Sequence, residues 1–368
     1  MKVLWFTWKD LSHPLAGGAE VVNQELAKRL VDDGHEVTFI VGGYKDGEAK
    51  EKHKDGYKII RVGNRMTVYW HAYRYYKKNL KGWADLAIDE VNTIPFFAKF
   101  YVDEPNLLFI HMLCRKIWFY HLPQPLSSIG YLLEPLYLQL LSNQSVITVS
   151  ESTKRDLIRV GFKKQTITII SEGTHAPRLN KLPAASSKQE KPTLLSLGAM
   201  RPMKRTLDQI KAFELAKAKT PELQFWIAGD SSDRYGKKVL KAIQNSKYAK
   251  DITYHGQISP AAKWKLMRQS YCILVTSIKE GWGLVVTEAA SQGTPAVVYN
   301  VDGLRDSVRD GETGLITVQN TPQHLADTIV TLLTSQARYA AIRKTAWQWS
   351  KTITFDNSYE QFREIIVA

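Results

Sequence analysis

The chain reads as α/β, two doubly wound Rossmann-like domains facing across a cleft, and three observations predict it. Short apolar runs alternate with helix-length periodic segments, the signature of parallel sheets covered by helices. The alternation restarts halfway, after a stretch at 176–192 that holds three prolines and mixed charge without any period. Finally, 368 residues, 44% hydrophobic and 23% charged, suit two globular domains of ordinary size.

Taken in order, strands are expected at 2–7, 36–41, 58–62, 86–89, 107–110, 145–149 and 166–170, which makes 1–175 the first domain. After the linker at 176–192, strands are expected at 193–197, 224–228, 252–255, 272–276, 296–299 and 314–317, giving a second domain over 193–350. The remainder, 351–368, carries a last helix at 355–367 that can pack back on the first domain. The opening MKVLWFTWKD is apolar for too short a distance and is broken by Lys9 and Asp10, so it reads as a strand rather than a signal peptide. No run approaches the roughly 18 apolar residues of a spanning helix. Cys114 and Cys272, each among bulky apolar neighbours, read as buried thiols of a reducing compartment, and a cytoplasmic location is expected.

A net charge of +14 calls for an anionic partner: nucleic acid, a membrane surface or small anions. No nucleic-acid motif is present and basic residues spread through both halves, so nucleic acid is not expected. From Tyr57 to Trp83 there are seven basic residues, seven aromatics and no acid. On a helix, Met66, Tyr69, Tyr73, Tyr76 and Leu80 share one face and Arg74, Lys77, Lys78 and Lys81 an adjacent one. That pattern suits lipid headgroups, and equally an aromatic core face beside a solvated basic one. The stretch from Ile117 to Val149 has a single charged residue, Glu134, while Pro123, Pro125, Gly130 and Pro135 are expected to prevent a long helix through its first part. It reads either as an apolar surface for a lipid-linked acceptor or as buried packing.

Several residues at expected strand ends can carry chemistry. Gly17 and Gly18 stand between a strand and a helix, where bare backbone lets N–H groups approach a phosphate or sugar, or simply makes a tight turn. His111 follows the strand LLFI and faces either a cleft or the core. Ser150 either binds hydroxyls or caps the helix beginning at Glu151. Asp10 and His13 flank the loop before Gly17 and are candidate acceptor contacts. The segment EGWGLVVTE puts Glu280 and Glu288 on either side of a glycine loop. With a strand before it and a helix after it, the loop amides and the positive helix end suit a diphosphate, while Glu288, one turn into the helix, suits a vicinal diol such as ribose. Gly281 and Gly283 imitate a dinucleotide fingerprint, but Val286 stands where its third glycine would be.

The chain resembles the retaining glycosyltransferases of family 4, of GT-B architecture, over nearly its whole length. The likeness rests on GGAE at Gly17 to Glu20, His111 in LLFIH, VSES from Val149, GAMRPMK from Gly198 to Lys204, the Glu280 and Glu288 pair, and the GTPAV and GETGL turns. It implies that the first domain holds the acceptor and the second a UDP- or GDP-linked sugar. Lys204 and an arginine would then meet the diphosphate in place of a metal. The usual arginine position, directly after Gly198, is Ala199, which leaves Arg201 as the nearest candidate and Arg205 as a weaker one. By the same resemblance Gly281, Trp282, Gly283 and Leu284 bind the donor, Glu280 and His111 meet the transferred sugar, and transfer runs by front-face displacement. No Asp-x-Asp triplet or ligand-like spacing exists, so neither metal nor cofactor is expected, the nucleotide sugar being a co-substrate. Expected partners are that donor, a saccharide or lipid-linked acceptor and an anionic membrane surface, as for a peripheral enzyme of polysaccharide or cell-envelope synthesis. The alternatives are a nucleotide-sugar epimerase of the same architecture, which would need no acceptor, and a basic protein binding anionic ligands or nucleic acid without catalysis. A two-lobed solute-binding protein would also place a cleft between α/β domains, but it needs export.

Overall fold

The computed structural model describes residues 1–367 and divides them into two compact units: Met1–Gly173 with the closing helix Phe355–Val367, and Thr174–Thr354. The first unit holds one eight-stranded sheet. Its strands are β1 (Lys2–Phe6), β2 (Glu36–Gly42), β3 (Lys50–Lys52), β4 (Lys58–Val62), β5 (Leu86–Glu90), β6 (Asn106–Ile110), β7 (Val146–Thr148) and β8 (Ile167–Ile169), in the order β3-β4-β2-β1-β5-β6-β7-β8. All pairings are parallel except β3 with β4. The sequence reading missed β3, because KEK carries no apolar alternation and lies exposed at the sheet edge. Helices cover both faces, so the central strands are near-continuous apolar runs, as in KVLWF. Trp5 lies in the core against Phe39, Phe109 and Phe362, the last stacked at 5.9 Å. Burying a phenylalanine such as Phe362 contributes about 1.5–3 kcal/mol, which ties the closing helix into the first unit's core. Gly173 is required where the chain leaves this unit, since a Cβ there would fall 2.3 Å from the backbone nitrogen of Phe355.

The second unit's sheet contains β9 (Thr193–Leu197), β10 (Gln224–Ala228), β11 (Ile252–Tyr254), β12 (Cys272–Val275), β13 (Ala296–Val298) and β14 (Gly314–Ile316), all parallel, in the order β11-β10-β9-β12-β13-β14. The stretch 176–192, expected as a linker, falls within the second unit and is tied to the loops that lead into β12 and β13. Its Lys188 is buried and donates to the Ser270 carbonyl (2.6 Å) and Thr294 Oγ1 (2.5 Å), a burial that pushes the ammonium well below its usual value. Cys114 and Cys272 are both buried.

One helix differs from expectation, and a second decides between two readings the sequence left open. Residues 126–140 form one helix, Leu126–Leu140, with Gly130 and Pro135 inside it. Proline supplies no N–H for the carbonyl of Tyr131, four residues back, and Arg115 Nη1 donates to that carbonyl instead at 3.1 Å. Gly130 is accepted because Trp118 fills its side-chain space, an added Cβ falling 2.4 Å from the indole. In the aromatic helix Val68–Asn79 the buried residues are Val68, Ala72 and Tyr76, whereas Met66 precedes the helix and is exposed. Tyr69 packs on Phe96 and Tyr73 on Tyr101, while Lys77 and Lys81 face Asp103, at 3.8 and 3.0 Å. Its aromatic face is therefore core packing.

Candidate functional site

Doubly wound sheets bind ligands beyond the strand carboxyl ends, where the chain reverses its direction of winding. In the second unit this point lies between β9 and β12, because the chain first builds outward through β10 and β11 and then returns to β9's other side. A shallow recess opens there, lined by Gly198, Ala199, Lys204, Thr276, Ser277 and Val285. Gly198 has a positive φ of 129°, and Gly229 presses on it so closely that a Cβ would lie 1.9 Å from the Gly198 carbonyl oxygen. Only glycine at 229 lets the two strand ends meet.

Lys204 ends the short 3-10 turn Pro202–Lys204. Thr276 Oγ1 holds that turn by donating to the Lys204 carbonyl (2.7 Å), and the Ile278 amide donates to the Met203 carbonyl (2.9 Å). These bonds set Lys204 Nζ 2.5 Å from Glu280 Oε1, which also accepts from Ser277 Oγ at 2.6 Å. The Glu280 amide donates to the Asp302 carbonyl, and Gly303 underlies the loop: a Cβ there would lie 2.2 Å from the Glu280 carbonyl oxygen. Lys204 is the more exposed of the pair, and a lysine ammonium has three donors, so two remain for an anion. Gly283, at a φ of 96°, opens the helix Leu284–Ser291, whose first amides have no partner within the helix. Trp282 packs against Trp349 at 6.2 Å, and Gly281 lies between it and Glu280.

Glu288 belongs to a different pair. Its carboxylate accepts from Lys263 Nζ at 2.6 Å, from the helix Pro260–Gln269. Burial raises its pKa, and the Lys263 charge opposes that shift. Arg201 precedes the 3-10 turn and acts electrostatically on Asp230, while Arg205, in left-handed backbone, lies over the Tyr299 ring at 5.7 Å. The sequence reading missed Lys263 and Ser277, which no local pattern marks.

The first unit gathers a different constellation at the ends of β5 and β6. His111 directly follows β6, is buried and stacks on Phe109. Its Nδ1 lies 3.3 Å from Glu172 Oε1 and its Nε2 3.9 Å from Glu90 Oε1, with no hydrogen-bond partner on Nε2. Burial alone would lower the imidazole pKa, but Glu172, Glu90 and Glu20 outweigh it and the net shift is upward. Glu90, which ends β5, accepts from Trp5 Nε1, Asn23 Nδ2 and Asn92 Nδ2, and burial pushes it up to about 6 against the nearby imidazole. Glu20 entered the sequence reading only as the end of the GGAE motif, and neither Glu90 nor Glu172 was singled out.

Other expected contacts have local partners. The Gly17 amide donates to Glu20 Oε2 at 2.6 Å, and Lys9 Nζ lies 3.1 Å from the same atom, so that N–H caps its own helix, Gly18–Asp32. Gly18 is the first residue of that helix. Asp10 is buried against Arg61 Nη2 at 2.6 Å. His13 accepts from the Leu15 amide and sits between Trp8 and Tyr44, its pKa lowered chiefly by burial. Ser150 caps the helix Glu151–Arg159, its Oγ accepting from the Thr153 amide at 3.2 Å. Among the described residues no helix is long and apolar enough to cross a membrane.

Known proteins agree with this architecture. Residues 16–176 match the family model for glycosyltransferase family 4, and residues 179–349 that for group 1 glycosyl transferases. The chain is 23% identical over 229 residues to the poly(glycerol-phosphate) alpha-glucosyltransferase of Bacillus subtilis, covering 62% of this chain but only 33% of that protein. To the N-acetyl-alpha-D-glucosaminyl L-malate synthase of Bacillus anthracis it is 22% identical, over 95% of this chain and 91% of that one. The solved structure of Anabaena HepE in complex with UDP-glucose superimposes with a TM-score of 0.75 at 18% identity, covering 100% and 99% of the two chains, which shows a shared fold. With its first half matched by the model for glycosyltransferase family 4 and its second by that for group 1 glycosyl transferases, the chain belongs to the group 1, family 4 glycosyltransferases of GT-B architecture.

Proposed function

We propose that this chain transfers a sugar from a UDP- or GDP-linked donor to a saccharide or glycolipid acceptor, with retention of configuration and without a metal. The observation that carries the reading is the Lys204, Ser277 and Glu280 cluster at the carboxyl ends of β9 and β12, beside the first amides of Leu284–Ser291. An ammonium and a helix N-terminus together stabilise a diphosphate that gains charge as it leaves. Arg201 supplies a second cation on the same strand-to-helix segment. Glu280 accepts from hydroxyls of the transferred sugar, and Glu288 from the ribose. In the reaction the bond from the anomeric carbon to the diphosphate oxygen breaks while the acceptor oxygen bonds that carbon from the same face, and a diphosphate oxygen takes the acceptor's proton. His111 meets the transferred sugar in this reading, its protonated form favoured by Glu172 and Glu90.

Support for the donor class comes from HepE, whose structure contains UDP-glucose on the same fold. Metal independence rests on the absence of any Asp-x-Asp triplet and on Lys204 as a resident counter-charge. The reading also includes peripheral attachment at the cytoplasmic face of a membrane, consistent with the excess of basic residues. Thermal stabilisation by a panel of nucleoside diphosphates identifies the base, and incubation with the matching nucleotide sugars then detects slow hydrolysis or transfer. Stabilisation by none of the panel overturns the proposal. Donor consumed to an isomerised free sugar, unaffected by added acceptors, would make the protein an epimerase.

A further inference from the structure

The helix Leu126–Leu140 is turned inside out relative to an ordinary surface helix. Ser127, Glu134 and Leu138 are its buried residues, while Leu126, Ile129, Leu132, Leu133, Leu136 and Leu140 are each 47–66% exposed. Spacings of three and four residues place these six along one stripe, about 20 Å long at 1.5 Å per residue. A contiguous apolar patch of this kind on a water-soluble surface marks an interaction site.

Charge then selects the partner. Glu134, the only charged residue from 117 to 149, is directed inward, where it accepts from the amides of Cys114 (2.5 Å) and Arg115 (2.6 Å). The stripe thus carries no outward acid. Arg115 lies over the Tyr131 ring at 4.2 Å and 3.7 Å from Glu134, on the buried side of the helix and away from the stripe, while Lys116, which follows it, is exposed. At the C-terminal end of the stripe Lys99 Nζ donates to the Leu140 carbonyl at 3.0 Å, with the exposed Phe100 beside it. An apolar stripe free of outward acid, with an exposed aromatic ring and a lysine at its C-terminal end, is complementary to the acyl and headgroup boundary of an anionic bilayer.

We infer that Leu126–Leu140 is the lipid-docking face of this protein, its leucines entering the outer acyl region and Lys99 and Lys116 meeting lipid phosphates. The helix Val68–Asn79, with its aromatic face in the core and two lysines facing Asp103, is not that surface. The inference rests on the peripheral-membrane part of the proposed function. Its test uses no turnover, so a failure here leaves sugar transfer standing and the reverse also holds.

The full chain is floated with vesicles of mixed phosphatidylglycerol and phosphatidylcholine, and with phosphatidylcholine alone. Flotation is expected with the anionic vesicles only, and the bound fraction should fall about tenfold in a variant carrying Leu132→Gln and Leu136→Gln with an unchanged melting temperature. Trp70→Ala, in the other helix, should leave binding intact. If the double leucine variant melts early, Lys99→Gln with Lys116→Gln carries the same expectation. No flotation with anionic vesicles at low salt, wild-type binding by the folded variants, or a chain that sediments as a dimer until Leu132 and Leu136 are replaced would each overturn the inference, the last by seating a second copy on the stripe.

Discussion

In the second unit each candidate carboxylate has a lysine of its own, Glu280 with Lys204 and Glu288 with Lys263, whereas in the first unit Glu90 and Glu172 share a single imidazole and Glu20, beside Lys9, adds to the field on it. The first arrangement neutralises charge pair by pair, and under the proposed function the diphosphate meets ammonium groups, 37% and 30% exposed, that keep spare donors. The second concentrates negative charge in a buried place, where the histidine's proton becomes the means of balancing it. One unit is prepared for a fixed anion, the other for a group whose charge varies with protonation.

Removing a cation tests that contrast most severely. Lys204→Ala should lower the transfer rate about 10²–10³-fold, the usual loss when one stabilising donor is taken from a developing anion. Steady-state rates at saturating donor measure it, and a loss smaller than fivefold would mean that Lys204 serves Glu280 alone. Next in size is a stability effect in the first unit, where Arg61 and Asp10 form an ion pair with side chains 2% and 5% exposed. Arg61→Ala strands a buried carboxylate and should cost about 3–5 kcal/mol in denaturant unfolding. An unchanged midpoint would show that Asp10 is available to an acceptor after all.

What could be read from the sequence follows the same division. Glu280 and the glycine loop were legible because a strand end, a loop and a helix start lie within one short segment, so the order of residues already implies the geometry; Lys204, 76 residues before Glu280, was legible only through the family resemblance. Glu20, Glu90 and Glu172 come from three elements more than 60 residues apart and meet only through the strand order of the sheet. The helix Leu126–Leu140 was misjudged for a related reason: the rule that proline breaks helices is sound, but Arg115, from a neighbouring turn, satisfies the carbonyl that Pro135 leaves open. Lys263 gave no sign because a lysine on an amphipathic helix is ordinary until a buried carboxylate is found opposite it.

Glu288→Gln keeps the shape of the side chain and removes its charge. It should weaken binding of the stabilising nucleoside diphosphate about tenfold, close to the 1.5 kcal/mol of one hydrogen bond to a charged group, as measured by calorimetric titration. Equal affinity would detach Glu288 from the ribose and leave it as the partner of Lys263.

The last expected effect is a slope with pH. The His111 imidazole has its pKa raised by Glu172, Glu90 and Glu20 in spite of burial. A basic group with a raised folded pKa stabilises the fold fully below its unfolded value, near 6.5, and that contribution disappears as the pH climbs through the folded value. Glu90, pushed up to about 6, is largely ionised above pH 7, so the imidazole dominates the change from there upward. Melting temperatures of the wild type and His111→Gln between pH 6 and 9 should therefore differ most at the acid end and converge toward the alkaline end. A constant gap would mean that His111 is neutral throughout, held only by its stacking on Phe109, and the contrast between a fixed and a proton-dependent charge balance would not hold.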